Sequence, residues 1–488
     1  MTSETLLLLA MAVPFAGAVG IGLTGRWPNV REGVTLVSAG VVMIMVFALF
    51  GRFQDGERFA VTLMEPLPGL PILFEIEALG MLFALVAGIL WLVTSLYAIG
   101  YMRGHHEQHQ TRFYVMFAVS IGSTLAIAFA GNLFTLFLGY EILTVSTYPL
   151  VAHAGTAEAR RGARTYLGIL LGTSIGFQLL AILITYALSG TLDFRDGGIL
   201  AGQVDPLWAG LLYALYVFGI GKAALMPFHR WLPAAMVAPT PVSALLHAVA
   251  VVKAGVFTVL KVTIYVFGAD FLKDTGVTDW LVWFAGGTIL LASLIAMTKD
   301  NLKARLAYST VSQLSYIILG AMLLNPAGLT GSALHIVMHA FAKITLFFGA
   351  GAILVAAHKT KVSELNGLGR AMPITFATFM IASLSIIGLP PLGGAWSKWF
   401  LAMGTVDAGR WALLGILMLS SLLNIAYLLP VPVRAFFGKA ENDAAYTRVR
   451  EAPASCLVAM IVTALACVIL FFYPEPFYQL ATSAAGAQ

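Results

Sequence analysis

Long apolar stretches recur along the whole chain, and they constrain its fold more than any other feature of the sequence. Fourteen of them are about 20 residues long, the length that an α-helix needs to cross the hydrocarbon core of a bilayer. They are centred near residues 14, 42, 88, 121, 142, 177, 217, 253, 288, 314, 342, 387, 420 and 463. A chain in lipid must satisfy its own backbone polar groups, so the sequence predicts an all-α polytopic membrane protein with about 14 transmembrane helices.

The composition agrees with this fold class. Of the 488 residues, 59% are hydrophobic and 10% are charged, whereas a soluble domain carries about 25% charged residues. No polar stretch is long enough to form a separate soluble domain, so we expect one integral membrane domain over residues 1–488. The N-terminus contains Glu4 and lacks a basic region, which favours a first transmembrane helix over a cleaved signal peptide. Cys456 and Cys467 share one late apolar run and indicate neither a disulfide framework nor a cysteine metal site.

Lysine and arginine are distributed unevenly between the connections. With 14 helices, the odd-numbered connections hold 18 of the 28 basic residues, and four more lie inside apolar runs. The even-numbered connections hold only six: Arg52, Arg58, Arg195, Lys261, Lys273 and Arg410. The positive-inside rule therefore predicts odd connections in the cytoplasm and both termini on the non-cytoplasmic side of a bacterial inner membrane. Short basic loops also explain the net charge of +5, so nucleic acid is not an expected partner.

Two apolar segments carry residues that interrupt helices. FGIGKAALMPFHRWLP contains Pro227 and Pro233, and IIGLPPLGGAWSKWF contains Pro390 and Pro391. Proline removes a backbone donor and clashes with the preceding turn, and such a break survives in lipid only where protein or a hydrated cavity surrounds it. Paired broken helices are typical of transporters built from inverted repeats, with the site near the midplane.

Five helices separate the two breaks, which predicts two inverted five-helix repeats with flanking helices. The expected division places helices 1–3 in residues 1–100 and the first repeat, helices 4–8, in residues 110–268. The second repeat, helices 9–13, is expected in residues 278–432, and helix 14 in residues 452–474.

Five ionisable residues lie inside the apolar runs: Glu141, Lys222, Lys253, Lys343 and Lys398. A charge at the bilayer centre costs roughly 2.5–3.5 kcal/mol on insertion scales, so such residues are functional-site candidates. We interpret all five as proton-transfer residues.

Glu141 and Lys222 are predicted to form a buried ion pair whose separation would release a proton from the lysine. The alternative is a static pair that holds two helices together. Lys253 has apolar neighbours for several turns, which favours burial over a lysine that reaches to the membrane surface. His247 lies six residues before Lys253 and is a weaker candidate for the same relay.

His335, His339 and Lys343 follow one another at intervals of four residues, so they share one face of a helix. Histidine titrates near neutral pH, and the row is therefore interpreted as a proton wire that leads to a lysine. A metal or haem site is the rival interpretation, but the sequence offers no third ligand, and we expect no metal. Lys398 is the terminal candidate, although Trp396 and Trp399 beside it also fit a lysine at the membrane interface.

Three of these segments resemble a known family. KAALMPFHRWLPAAMVAPTPVSALLHAVAVVKAGVF, HAFAKITLFFGAGAI and GLPPLGGAWSKWF are similar to the proton-conducting, antiporter-like membrane subunits shared by respiratory complex I, membrane-bound hydrogenases and Mrp-type Na+/H+ antiporters. The resemblance extends from the third helix to the thirteenth. It implies two inverted five-helix repeats, a half-channel from each face and a central row of lysines.

The resemblance also implies a role for each candidate. Glu141 matches the family's glutamate in helix five, and Lys222 matches the lysine of its broken helix. The central row matches a larger set: His247, Lys253, His335, His339 and Lys343. Lys398 matches the exit residue.

The resemblance predicts a proton-translocating protein most like the D subunit of an Mrp-type Na+(K+)/H+ antiporter. The chain ends about fifteen residues past its last helix, as the shorter members do. A complex I pump or a hydrogenase-linked protein is the alternative. No cofactor is expected, and the chain would count as part of an enzyme only within complex I. Expected partners are other small membrane subunits, H+, Na+ or K+, and lipid. A quinone- or haem-binding protein and a purely structural scaffold are competing classes.

Overall fold

The computed structural model describes residues 2–276, 278–439 and 449–486, which form a bundle of membrane-spanning helices. In these residues, 11 helices are long and apolar enough to cross a bilayer. They are α1 (Ser3–Leu23), α2 (Pro28–Gln54), α3 (Ala78–Gly104), α4 (Gln110–Ala128), α5 (Leu133–Val151), α6 (Ala157–Ser189), α8 (Thr240–Phe267), α9 (Asp279–Thr298), α11 (Pro326–Ala357), α14 (Trp411–Phe437) and α15 (Ala454–Phe472).

Three further crossings complete the bundle. The helix α10 (Leu302–Met322) is long enough but carries Lys303 and Arg305. The helices α7 (Pro206–Gly219), α12 (Pro373–Ile387) and α13 (Gly394–Asp407) each have 14 or 15 residues. At 1.5 Å per residue each is only about 21–23 Å long, shorter than a hydrocarbon core of roughly 30 Å.

These short helices belong to the two broken crossings. Gly221–Ala223, Trp231–Ala234 and Ala235–Val237 continue the crossing that α7 begins, and α13 continues the crossing that α12 begins. Within the described residues there are thus 14 crossings, two of them broken. The predicted all-α polytopic architecture is confirmed, whereas the division into two inverted repeats stays a prediction.

Several crossings begin at a side chain that caps the helix. Asn132 accepts a hydrogen bond from Thr135 N at the start of α5, and Asn301 accepts one from Ala304 N at the start of α10. Asn325 does the same for α11. Because an N-cap residue satisfies a backbone donor that the helix cannot, these asparagines fix where the crossings start.

One feature outside the helices was not predicted. The segment between α2 and α3 forms an antiparallel hairpin of β1 (Ala60–Leu67) and β2 (Leu70–Glu75). The backbone continues this pairing through an isolated bridge between Phe74 and Ala130. The hairpin therefore attaches the α2–α3 connection to the start of α5. A final helix, α16 (Glu475–Ala484), follows α15.

The odd-numbered connections contact one another at one side of the bundle. Arg112 donates a hydrogen bond to the carbonyl of His153, which joins the starts of α4 and α6. Asn301 and Lys361 form a backbone bridge between the connections that precede α10 and α12. We call this side the basic side. Arg448, which the sequence assigns to the last odd connection, lies outside the described residues.

The even-numbered connections contact one another at the opposite side. Asn132 and Asp193 form a backbone bridge, and Arg410 forms an ion pair with Asp279. The helix α1 begins at this side, because Ser3 donates a hydrogen bond to Glu57 just after α2. The two-sided arrangement of the connections is thus as the sequence predicts, and the assignment of the basic side to the cytoplasm stays a prediction.

Lys261 is the exception, because the assignment of this residue to an even connection is wrong. It lies inside α8, and its side chain is buried. The ammonium forms an ion pair with Glu77, at 2.9 Å between Nζ and Oε1, and also donates to the Ala130 carbonyl at 3.3 Å. Tyr265 donates a hydrogen bond to the same carboxylate. A buried charge is tolerated when it is paired, so α8 can continue past this lysine.

Candidate functional site

The candidate residues converge on the most deeply buried helices. The apolar span of α8 is fully buried within the bundle, and those of α3 and α11 are largely buried. In α2, α6 and α14, by contrast, only 33% of the residues of the apolar span are buried. Since α8 and α11 carry Lys253, His339 and Lys343, the central row is shielded from lipid by the surrounding helices.

Lys222 lies at the break that follows α7. The α-helix ends at Gly219, and the lysine sits on the single turn Gly221–Ala223. Its ammonium donates to the Tyr140 carbonyl at 2.8 Å and to Thr144 Oγ1 at 2.5 Å, and it lies 3.0 Å from the centroid of the Tyr140 ring. A cation over an aromatic face is stabilised by the ring quadrupole, so this pocket of α5 is built for a charged amine.

The predicted direct ion pair between Glu141 and Lys222 is wrong for this conformation. Among the described residues the two groups form no ion pair, and both carboxylate oxygens of Glu141 are buried without a hydrogen-bond partner. Successive residues on an α-helix project about 100° apart. Lys222 occupies the face of Tyr140 and Thr144, one position round the helix from Glu141. The two charges still interact electrostatically.

Lys253 and His339 join α8 to α11. The distance from Lys253 Nζ to His339 Nδ1 is 2.8 Å, and both side chains are buried. His247, one and a half turns earlier on α8, packs against Phe347 with ring centroids 4.5 Å apart and the rings tilted by 41°. Neither ring nitrogen of His247 has a hydrogen-bond partner among the described residues. The structure thus brings Lys253 into the row directly and leaves His247 beside it.

His335 and His339 lie on the same face of α11, as the spacing predicts, with ring centroids 5.8 Å apart. The Nδ1 atom of His335 is 2.8 Å from Ser397 Oγ, one residue before Lys398. The Tyr316 ring stacks on His335. The two Nδ1 atoms therefore contact different partners, a serine and a lysine, and both Nε2 atoms are buried without a hydrogen-bond partner among the described residues.

Lys343 turns away from the histidines towards α10. Its ammonium donates to Ser309 Oγ at 2.7 Å, and the Tyr427 hydroxyl donates to the same oxygen at 3.1 Å. The lysine is fully buried. The predicted wire of three side chains on α11 is therefore divided, with His339 bonded to Lys253 and Lys343 bonded to a hydroxyl.

Lys398 is buried in the first half of α13, so the alternative of a lysine at the membrane surface is wrong. Its ammonium donates to the Ile387 carbonyl at 3.1 Å and to Ser421 Oγ at 3.0 Å. It also lies 4.9 Å from the centroid of the Tyr316 ring. The last residue of α12 thus supplies an acceptor that the break leaves free.

The two breaks allow backbone to pack closely against the site. Pro390 and Pro391 separate α12 from α13, and Pro227 and Pro233 lie in the irregular segment after α7. The first break packs against α8 at Gly255, where a Cβ atom would lie 2.3 Å from Ala223 N. Glycine is thus needed to bring the Lys222 turn next to the Lys253 helix.

Two further lysines, not predicted as intramembrane residues, make contacts within the bundle, Lys261 fully buried and Lys303 partly buried. Lys261 is paired with Glu77, and Lys303 at the start of α10 donates to the Ala238 carbonyl. The interval of eight residues from Lys253 to Lys261 was a usable signal, because it places both on one face of a helix. The partners Glu77 and Ala238 are distant in sequence, and no local pattern reveals them.

The fold and the row of buried amines and imidazoles define an antiporter-like membrane protein. The chain belongs to the family described as NADH:quinone oxidoreductase/Mrp antiporter, TM, whose model matches residues 130–424. The matched region runs from the start of α5 into α14 and contains all eight site residues predicted from the sequence.

Known proteins support this assignment. The chain is 32% identical to NADH-quinone oxidoreductase subunit N of Desulforudis audaxviator, over 96% of each chain. It is also 32% identical to the A/B subunit of a probable K(+)/H(+) antiporter of Rhizobium meliloti, over 81% of this chain and 39% of that protein. A chain in the Mrp complex of Dietzia sp. DQ12-45-1b superposes with a TM-score of 0.88 at 21% identity, covering 100% of this chain and 97% of that one. This last likeness shows the fold alone.

Proposed function

We propose that this chain moves protons through the membrane along its row of buried lysines and histidines. The single observation that carries the proposal is the hydrogen bond between Lys253 Nζ and His339 Nδ1 in the most buried part of the bundle. Burial disfavours the charged form of an amine, so a lysine in this position holds a proton that a neighbouring charge can displace.

Each end of the row lies at a broken helix. Lys222 follows α7, and Lys398 follows the break between α12 and α13. Irregular backbone at membrane depth is stable where protein surrounds it or where it lines a hydrated cavity, and we propose that each break gives its end of the row a route to water. We propose that a change in the interaction between Glu141 and Lys222 displaces the proton on Lys253, and that Lys398 releases it.

Within the family, we propose a role like that of the D subunit in an Mrp-type Na+(K+)/H+ antiporter. The 32% identity to the A/B subunit of a probable K(+)/H(+) antiporter supports an antiporter role. Lys398 argues only against the one complex I subunit of this family that carries a glutamate at the matching exit position. The partners would be the other small membrane subunits of that complex, together with H+ and Na+ or K+.

A second candidate is a proton-pumping subunit of complex I. The observation in its favour is the 32% identity to a subunit N over 96% of each chain. Both candidates require proton movement along the same residues, and they differ in what drives it. An ion gradient drives the antiporter, whereas electron transfer in partner subunits drives complex I.

Purification of the intact complex through a tag on this chain would separate the two. Inverted membrane vesicles would then be tested for Na+- or K+-driven proton movement and for quinone-linked proton pumping. Cation-driven movement with no response to an electron donor supports the antiporter. The reverse result supports complex I, and no proton movement in either assay would contradict the proposed function. An optical spectrum of the purified chain tests the competing quinone- or haem-binding class, since the proposal predicts no chromophore.

A further inference from the structure

A second set of polar side chains lies between Lys343 and Lys398, away from the histidines. It begins at Ser309, whose hydroxyl accepts hydrogen bonds from Lys343 at 2.7 Å and from the Tyr427 hydroxyl at 3.1 Å. The Tyr427 hydroxyl also contacts Asn424 Oδ1. Asn424 is fully buried, and its Nδ2 atom has no hydrogen-bond partner among the described residues.

Serine hydroxyls extend this set towards Lys398. Ser420 Oγ lies 3.2 Å from Ser293 Oγ and 3.5 Å from Ser312 Oγ, and the latter two are 2.9 Å apart. Ser421, the next residue along α14, accepts a hydrogen bond from Lys398 at 3.0 Å. All three members of the serine triangle are fully buried.

The helix α14 carries most of this set, although among the described residues no hydrogen bond joins Asn424 to Ser420 or Ser420 to Ser421. Ser420, Asn424 and Tyr427 follow one another at intervals of four and three residues, so they lie on one face of the helix, about one turn apart. We call the set formed by Ser309, Tyr427, Asn424, Ser420 and Ser421 the hydroxyl ladder. It lies between the lysine on α11 and the lysine on α13, and its two gaps, from Asn424 to Ser420 and from Ser420 to Ser421, each need a bridging water.

The two histidines of α11 lead towards Lys398 by a different set of contacts. His339 bonds to Lys253, and His335 bonds to Ser397. Among the described residues, Lys343 has no hydrogen bond to either histidine, and its ammonium donates to Ser309 instead. The histidines thus extend from Lys253, whereas the ladder extends from Lys343.

We propose that the hydroxyl ladder carries the proton from Lys343 to Lys398, an inference that rests on the proposed function. A hydroxyl both donates and accepts hydrogen bonds. Each hydroxyl can therefore take a proton on its oxygen and pass on its own, and it must turn its O–H back before the next transfer. Water carries the proton across the two gaps. Lys343 becomes neutral as it gives up its proton, and Lys398 becomes charged as it receives one. The amide of Asn424 does not titrate, and its free Nδ2–H can hold a bridging water in place.

The test removes single hydroxyls from the ladder in the complete complex. Tyr427→Phe deletes one oxygen and keeps the ring, and Ser309→Ala deletes the acceptor of Lys343. The matched control is Thr463→Val, because Thr463 accepts a buried hydrogen bond at 2.7 Å from Thr345 on α11, two residues from Lys343. This pair faces α15 instead of α14. Proton movement is measured in vesicles, and assembly is measured by recovery of the tagged complex.

We expect Tyr427→Phe and Ser309→Ala to lower proton movement roughly tenfold or more, since a positioned proton-transfer group typically contributes about 10²–10⁴-fold. Thr463→Val should stay within about twofold of the wild type. Wild-type rates in both ladder variants, with normal assembly, would overturn the inference. If Lys343→Ala loses activity while both ladder variants keep wild-type rates, the ladder is excluded and the proposed function stands. Normal activity in Lys343→Ala would instead contradict the proposed function at this lysine.

Discussion

Lys253 and His339 lie on different helices, and the ammonium of the first is 2.8 Å from Nδ1 of the second. The two are 86 residues apart in sequence and are both buried. The amine nitrogen and the imidazole nitrogen are both basic, and in contact they share one proton. Neither side chain supplies a negative charge that would hold this proton in place. Such a pair responds to any charge that approaches it, which is the property that a proton relay needs.

This contact predicts unequal effects at the two ends of the histidine row. Lys253→Ala should abolish proton movement, because the Lys253 ammonium is the group on α8 that bonds to His339. His339→Ala should lower the rate about tenfold and leave some activity, since water can replace an imidazole in a hydrated path. Initial rates in vesicles measure both effects. Equal rates for His339→Ala and the wild type would exclude the imidazole from the route.

The sequence predicted the crossings well because each depends on local composition. Apolar length and the two proline clusters are properties of single segments, and they placed Lys398 beside its break. The spacing of His335 and His339 likewise predicted a shared face. These features needed no knowledge of the partner helices.

The predictions that were wrong concern contacts between segments that are distant in sequence. Lys261 was assigned to a loop because its partner Glu77 lies far earlier in the chain, just after a hairpin that hydropathy does not reveal. The pairing of Glu141 with Lys222 was wrong in detail because the rotation of α5 decides which face meets the break. A single sequence carries no record of that rotation.

A second prediction concerns the first break. Glu141→Ala and Lys222→Ala should each assemble normally and abolish proton movement, because each removes one partner of the electrostatic interaction at the start of the row. The matched control is Lys273→Ala, since Lys273 is an exposed lysine on the connection after α8. Normal rates in either of the first two variants, with intact assembly, would remove the switch from the mechanism.

Lys343 allows a test of whether a side chain must release its proton. Lys343→Arg keeps a positive charge, but a guanidinium does not deprotonate in proteins. We therefore expect arginine to be nearly as damaging as alanine, with a loss of at least about tenfold in proton movement. Rates in vesicles carrying the tagged complex check this. An active arginine variant would show that the position supplies only a fixed charge.

At the exit position, the identity of the titratable group should matter less than its presence. Lys398→Glu should keep partial activity, and Lys398→Ala should have none, because only a group that binds a proton can pass it on. The carboxylate can still accept a hydrogen bond from Ser421, although it loses the bond to the Ile387 carbonyl. The same vesicle assay compares the two variants. If alanine performs as well as glutamate, the proton leaves elsewhere.

The last prediction concerns stability, at the ion pair of Lys261 and Glu77. The Glu77 carboxylate also accepts hydrogen bonds from Leu79 N, Gly80 N and the Tyr265 hydroxyl. It therefore keeps three donors in Lys261→Met, whereas Glu77→Gln leaves a buried ammonium without a counter-charge. Removal of one partner of a buried ion pair lowers the free energy of unfolding by about 3–5 kcal/mol. We expect the loss for Glu77→Gln to lie at the upper end of that range and the loss for Lys261→Met to lie below it. The unfolding temperature of the purified complex measures the order, with the exposed Lys273→Met as control. A larger loss for Lys261→Met would show that the lysine stabilises α8 through the contacts of its ammonium with the rings of Phe194, Phe257 and Tyr265 rather than through the pair.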